Sequence, residues 1–155
     1  MTTTDKITEY FHTALPPEWF SAPPAVTVDD DEILVVGTLP DGSAVDSFRE
    51  ESRAQRVQIA QEAESQFHRA VSWGVTLGGQ TSLFTTYNAP VATRLRLSER
   101  AVLDTLVESG VARSRSDALS WCVKMVAKHQ AEWLDDLRSA LVDVERVRAE
   151  GPTVL

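Results

Sequence analysis

The chain has a single cysteine, Cys122, so no disulfide can form within it. That suits a reducing compartment, and a cytoplasmic protein is expected. No apolar run approaches the roughly 20 residues that span a bilayer. The opening MTTTDKITEY lacks the apolar core of a secretory signal, so no membrane partner is expected. The three histidines, His12, His68 and His129, lie far apart without metal-ligand spacing. No serine, cysteine or carboxylate pair stands in a recognisable nucleophile or acid–base setting. An enzyme is therefore not expected, nor a cofactor or resident metal.

Basic residues are scarce in the first part of the chain. Residues 1–90 hold five Lys/Arg against thirteen Asp/Glu, whereas residues 91–155 hold ten of each. Residues 91–128 carry seven basic and four acidic side chains. The overall formal charge of −8 thus comes from the N-terminal half, and a locally basic segment follows it.

The N-terminal half reads as a mixed α+β domain over 1–88. Ile7, Tyr10, Phe11 and Leu15 fall at helical spacing, and Pro16-Pro17 ends that helix. Trp19 and Phe20 are large aromatics that need burial. Ala25–Val28 and Ile33–Leu39 are β-rich runs around Asp29-Asp30-Asp31-Glu32, which predicts a hairpin with an acidic turn. Pro40-Asp41-Gly42-Ser43 is a turn signal. Ser47 with Glu50 three residues on fits a capping box for a long helix, with Phe48, Val57, Ala60, Ala63, Phe67 and Ala70 on its apolar face. Val71–Leu77 alternates as a strand, Gly78-Gly79-Gln80 is a turn, and Leu83–Tyr87 is the returning strand. The expected order is α-β-β-α-β-β.

Two stretches invite a ligand. The acidic run Asp29–Glu32 offers oxygen ligands for a hard cation but lacks the alternating spacing and glycine of a calcium loop, so a solvated turn is expected. The glycine-rich Gly74–Gln80 is followed by a strand and has no nearby lysine, so a turn rather than a phosphate cradle is expected. His68 is expected at the surface and Cys122 as a buried structural thiol.

The most informative segment is VATRLRLSERAVLDTLVESGVARSRSDAL, residues 91–119. Alternation places Thr93, Leu95 and Leu97 on one strand face and Ala92, Arg94 and Arg96 on the other. Ser98 is the expected N-cap of a helix whose apolar stripe is Val102, Leu103, Leu106 and Val107, and Gly110 ends it. Ser114 caps a second helix with Asp117 three residues on, and Arg113 and Arg115 flank the cap. Free N–H groups at that helix start, with two guanidiniums, suit a phosphate.

On these residues the segment resembles the ribbon-helix-helix family of bacterial DNA-binding proteins, over about 91–129. The resemblance implies an intertwined homodimer in which one strand from each chain pairs antiparallel and enters the major groove of double-stranded DNA. It places Arg94, Arg96 and Ala92 against base edges. It places Ser114, Arg115, Arg113 and Ser116 against phosphates. The alternative is that Val91–Leu97 is one more strand of the N-terminal sheet.

From Asp117 to Glu150 there is no proline or glycine, which allows one very long helix or two in succession. Val123, Val126, Gln130, Trp133, Leu137, Ala140, Val144 and Val147 keep four- and three-residue steps, close to a heptad pattern. A family-type second helix would end near Lys128-His129, leaving an added helix beyond it.

The expected architecture is α+β: an N-terminal mixed domain, then a ribbon-helix-helix-like module over 89–155 with an extended C-terminal helix. The expected function is a dimeric, sequence-specific DNA-binding protein and transcriptional regulator. The other reading is an antitoxin-like or adaptor protein whose acidic N-terminal domain binds a protein partner.

Overall fold

The computed structural model describes residues 1–153 and divides into two compact units, Met1–Val91 and a second that begins at Ala92. The first is built as α1 (Thr3–Ala14), β1 (Ala25–Val28), β2 (Glu32–Thr38), α2 (Val45–Phe67), β3 (Ala70–Leu77) and β4 (Gln80–Leu83). The second is helical: α3 (Leu97–Glu108), α4 (Arg115–His129) and α5 (Ala131–Glu150).

The sheet runs β1-β2-β3-β4. β2 and β3 pair in parallel, with Val35 opposite Trp73, and α2 makes the crossover between them. The edge strands β1 and β4 pair antiparallel with β2 and β3. Alternation sends Ile33 and Val35 of β2, with Trp73 and Val75 of β3, to the face where Ile7 and Phe11 of α1 meet Ile59 and Ala63 of α2. The Phe11 and Trp73 rings meet edge-on at 6.0 Å.

Local chemistry sets the ends of these elements. Thr2 and Asp5 cap α1 reciprocally, each side chain accepting from the other's backbone N–H. In the β1–β2 turn the Asp29 carboxylate accepts from the N–H groups of Asp31 (2.9 Å) and Glu32 (2.7 Å), which holds its pKa below the usual carboxylate range. The acidic run thus works as a turn, and among the described residues no His/Cys/Asp/Glu group is disposed to hold a metal. Trp19 and Phe20 are seated against Phe48, at 5.5 and 5.7 Å. Phe20 also lies on Gly37, where a Cβ would come within 2.2 Å of its ring, so β2 needs glycine at that point.

Several expectations are corrected here. α2 begins at Val45 behind Ala44, which makes no side-chain cap, so Ser47 is not the N-cap. The Pro40–Ser43 turn, closed by Ser43 N–H to Pro40 C=O at 3.2 Å, already delivers the chain in helical direction. Val57 is half-exposed rather than facing the core, and Arg56 takes a buried place at 6% exposure. Its Nε donates to Ser52 Oγ at 2.9 Å, a terminal nitrogen donates to Arg49 C=O at 2.8 Å, and the guanidinium lies 4.9 Å from the Phe84 ring centre. Burial first, then the neighbouring Arg49 and Arg53, lower its pKa. β4 stops at Leu83 because Phe84 turns into the core, while Thr85 Oγ1 accepts from Trp73 N–H at 2.9 Å. Ala70 opens β3 rather than extending the α2 face.

The second unit has a small interior. Leu103 of α3, Ala112 of the turn and Ala118 of α4 are buried, with Leu95, Leu106, Val107, Leu119 and Cys122 packed around them. α4 ends at His129, and Gln130, with φ −118 and ψ 28, separates it from α5.

Candidate nucleic-acid interface

The candidate interface comprises the approach to α3, the α3–α4 turn and the start of α4. Val91–Leu97 does not form a strand in the single chain. Residues 84–96 are irregular, and among the described residues no backbone–backbone hydrogen bond reaches Val91 to Leu95. A strand needs a partner edge, and among the described residues none pairs with this stretch. The alternative that this stretch extends the N-terminal sheet is set aside, since that sheet has four strands and ends at β4.

The helix start is also earlier than expected. Arg96, extended at φ −80 and ψ 169, is the N-cap, and its N–H is accepted by the Glu99 carboxylate at 3.1 Å. Ser98 therefore lies inside α3 and Leu97 is its first residue, 75% exposed. The expected pairing of Leu95 and Leu97 on one buried face is broken. Leu95 turns inward, with its C=O accepting from the Arg100 guanidinium, while Leu97 faces solvent. Ala92, Arg94 and Arg96 are exposed, and among the described residues neither arginine has a carboxylate partner.

At the far end of α3, Gly110 adopts φ 81, and the N–H groups of Val111 and Ala112 reach back to Leu106 C=O at 3.0 and 3.1 Å. This left-handed turn buries Ala112 and sets the entry to α4. Ser114 is the N-cap, its Oγ accepting from Asp117 N–H at 3.1 Å, while Asp117 accepts from Arg113 N–H at 2.9 Å. The amides of Arg115 and Ser116, the first two residues of α4, have no partner inside the helix. They are the groups a phosphate oxygen would meet.

Arg115 is already engaged. Its Nε and a terminal nitrogen donate to the two Asp104 carboxylate oxygens of α3 at 2.8 and 2.9 Å. That hydrogen-bonded pair lowers the Asp104 pKa and raises that of Arg115. Both groups face solvent, so the bridge orients Arg115 more than it stabilises the fold. Arg113 is exposed without a carboxylate partner among the described residues. Sequence reasoning missed the Arg115–Asp104 bridge, because the eleven-residue separation becomes a contact only once α3 and α4 pack.

In the N-terminal unit a hollow of about 450 Å³ opens at the start of α2, lined by Glu18, Trp19, Phe48, Glu51, Ser52 and Gln55 among others. Among the described residues no helix is long and apolar enough to cross a membrane.

An α+β unit followed by a separate helical unit is the layout against which the relatives are compared. The chain belongs to the family described as Rv1265-like protein, N-terminal domain, whose model matches residues 5–83. The Mb1296 C-terminal domain model matches residues 96–148. The uncharacterized proteins Mb1296 of Mycobacterium bovis and Rv1265 of Mycobacterium tuberculosis are each 49% identical to it over 156 residues, covering 93% of this chain and 69% of theirs. No solved structure gives a significant match. The two matched regions correspond to the two units, and Ala92 and Arg94 fall in the stretch between them.

Proposed function

We propose that the chain is a dimeric, sequence-specific DNA-binding protein, a transcriptional regulator of the cytoplasm, that reads the major groove with a two-stranded ribbon formed by Val91–Leu97 of two copies. One observation carries this reading. A basic stretch with unpaired backbone groups leads directly into two helices joined by a left-handed glycine turn and a serine cap. The N–H groups of Val91–Leu95 and the C=O groups of Val91–Arg94 are ones that a second copy would satisfy.

In such a dimer Arg94 and Arg96 present guanidiniums to base edges, with guanine O6 and N7 as the fitting acceptors, and Ala92 lies beside them. The start of α4 offers the Arg115 and Ser116 amides, the Ser114 hydroxyl and the Arg113 side chain to the backbone. Arg115 reaches a phosphate by exchanging Asp104 for it.

The test is fluorescence anisotropy on selected duplexes across a salt series. Arg94→Ala and Arg96→Ala are each expected to lose about 1–3 kcal/mol of discrimination between the selected duplex and a scrambled one. Arg113→Ala is expected to weaken all duplexes alike and reduce the salt slope by about 1. Unchanged binding of every duplex by both ribbon variants sinks the reading.

The second reading is an antitoxin-like or adaptor protein, and the thirteen acidic residues among the first ninety favour it. It predicts that residues 1–91 alone capture a basic protein partner and that the full chain binds no duplex.

A further inference from the structure

α5 has an apolar stripe that its own unit leaves uncovered. The helix has no buried residue over Ala131–Glu150. Trp133, Leu137, Leu141, Val144 and Val147 are 57, 43, 56, 51 and 57% exposed, and their four- and three-residue steps keep them on one side of the helix. From Trp133 to Val147 this stripe runs about 21 Å along the helix. Val123 and Val126 of α4, also exposed, continue the same seven-residue register on the other side of Gln130.

We infer that α5 pairs in parallel with α5 of a second copy of this chain. Charge selects both the occupant and the orientation. With Trp133, Leu137, Ala140, Val144 and Val147 as the contact line, one flank of the stripe holds Asp136, Asp143 and Glu150. The other flank holds Leu134, Leu141 and Arg148. An antiparallel pair sets the acidic flank against itself. A parallel pair sets Asp143 of each copy beside Arg148 of the other and Asp136 beside Leu141. Among the described residues Asp143 and Arg148 have no ion-pair partner within the chain, whereas Arg138 and Arg146 are already held by Asp135 and Glu150. Parallel pairing thus brings an open carboxylate beside Arg148, the α5 cation left without a carboxylate among the described residues. This pairing does not rest on the ribbon, since it uses no residue of Val91–Leu97.

The experiment uses the full chain carrying Cys122→Ser, which removes the half-buried native thiol. With Val147→Cys added, mild oxidation is expected to yield a covalent dimer, since parallel pairing sets the two positions within the short Cα separation a disulfide requires. A mixture of Trp133→Cys and Val147→Cys chains is expected to yield no mixed dimer. Sedimentation equilibrium supplies the second readout. Asp143→Arg or Arg148→Asp alone is expected to weaken association about tenfold, and the double swap to restore it. A mixed 133–147 cross-link overturns the orientation. A monomer at micromolar concentration overturns the self-pairing and the ribbon dimer together. A dimer that gives no 147 cross-link overturns the α5 pairing and leaves the ribbon reading standing.

Discussion

Among the described residues, twelve buried ones drawn from α1, β2, α2, β3, the loops between them and Phe84 after β4 form one continuous cluster in the N-terminal unit, while three form that of the C-terminal unit. The contrast is not one of composition. Trp133, Leu137, Leu141, Val144 and Val147 are as apolar as Trp73 and Val75 but face outward. The N-terminal unit uses its apolar residues to close a sheet under two helices. The C-terminal unit spends few on its own interior and leaves a stripe, and an unpaired segment, for something else. A unit with so little core is one whose stability the proposed association would raise. On the proposed dimer, the difference separates a self-sufficient scaffold from a half-built one that a second copy would complete.

The largest expected effect tests the self-sufficient side. Phe11→Ala is expected to cost about 3–5 kcal/mol in urea unfolding of the N-terminal unit, because the ring is fully buried against Trp73 and nothing nearby refills the space. A loss below about 1 kcal/mol contradicts a closed core. Arg56→Ala is expected to cost about 1–3 kcal/mol, through lost packing on Phe84 and the loss of its two hydrogen bonds to Ser52 Oγ and Arg49 C=O. A neutral outcome means that the guanidinium is spare there.

The next prediction tests the half-built side. Unfolding of the C-terminal unit is expected to gain about 1.4 kcal/mol for each tenfold rise in chain concentration below saturation, while that of the N-terminal unit stays fixed. Two units that respond alike erase the comparison. The smallest effect concerns Arg115. Asp104→Asn releases it and is expected to tighten duplex binding and steepen the salt slope by about 1. The sign with pH follows from the lowered Asp104 pKa. The bridge is complete above the ordinary carboxylate range and is lost as pH falls through the depressed value. Wild type should therefore approach the variant only at acid pH below that range, and convergence near neutrality contradicts the bridge as the restraint.

Much of the N-terminal unit is legible from residue order, because each of its elements buries a face against another element of the same unit. The hairpin around Asp29–Glu32, the helix ended by Pro16-Pro17 and the strand stopped by Gly78-Gly79 all follow from local chemistry. What escapes is where tertiary contact outweighs pattern. Arg56 reads as a solvated charge until Phe84 turns in beneath it, and β4, expected at Leu83–Tyr87, forms earlier at Gln80–Leu83 because Phe84 leaves the strand. His68 is exposed, as its sequence position suggests, and the pattern does not show that it also closes α2 at φ 55, donating its N–H to Glu64 C=O at 2.9 Å. Histidine is among the side chains that enter that region more readily, which was the available signal.

In the C-terminal unit the punctuation is legible and the ribbon is not. Gly110, which has no Cβ to oppose a positive φ, and Ser114, whose hydroxyl caps α4, stand where their residue types predict. The alternation of Leu95 and Leu97 fails because Glu99 reaches Arg96 rather than leaving Ser98 to cap, which draws Leu97 into the helix. A strand formed between two chains has no counterpart in one chain, so the alternating pattern alone cannot specify it.

Hydrogen exchange across Val91–Leu97 at two chain concentrations tests the central claim most directly. The account predicts protected amides in that segment at high concentration, lost together on dilution to monomer and strengthened by a selected duplex. Exchange at unstructured rates in a chain that sedimentation shows to be dimeric contradicts it.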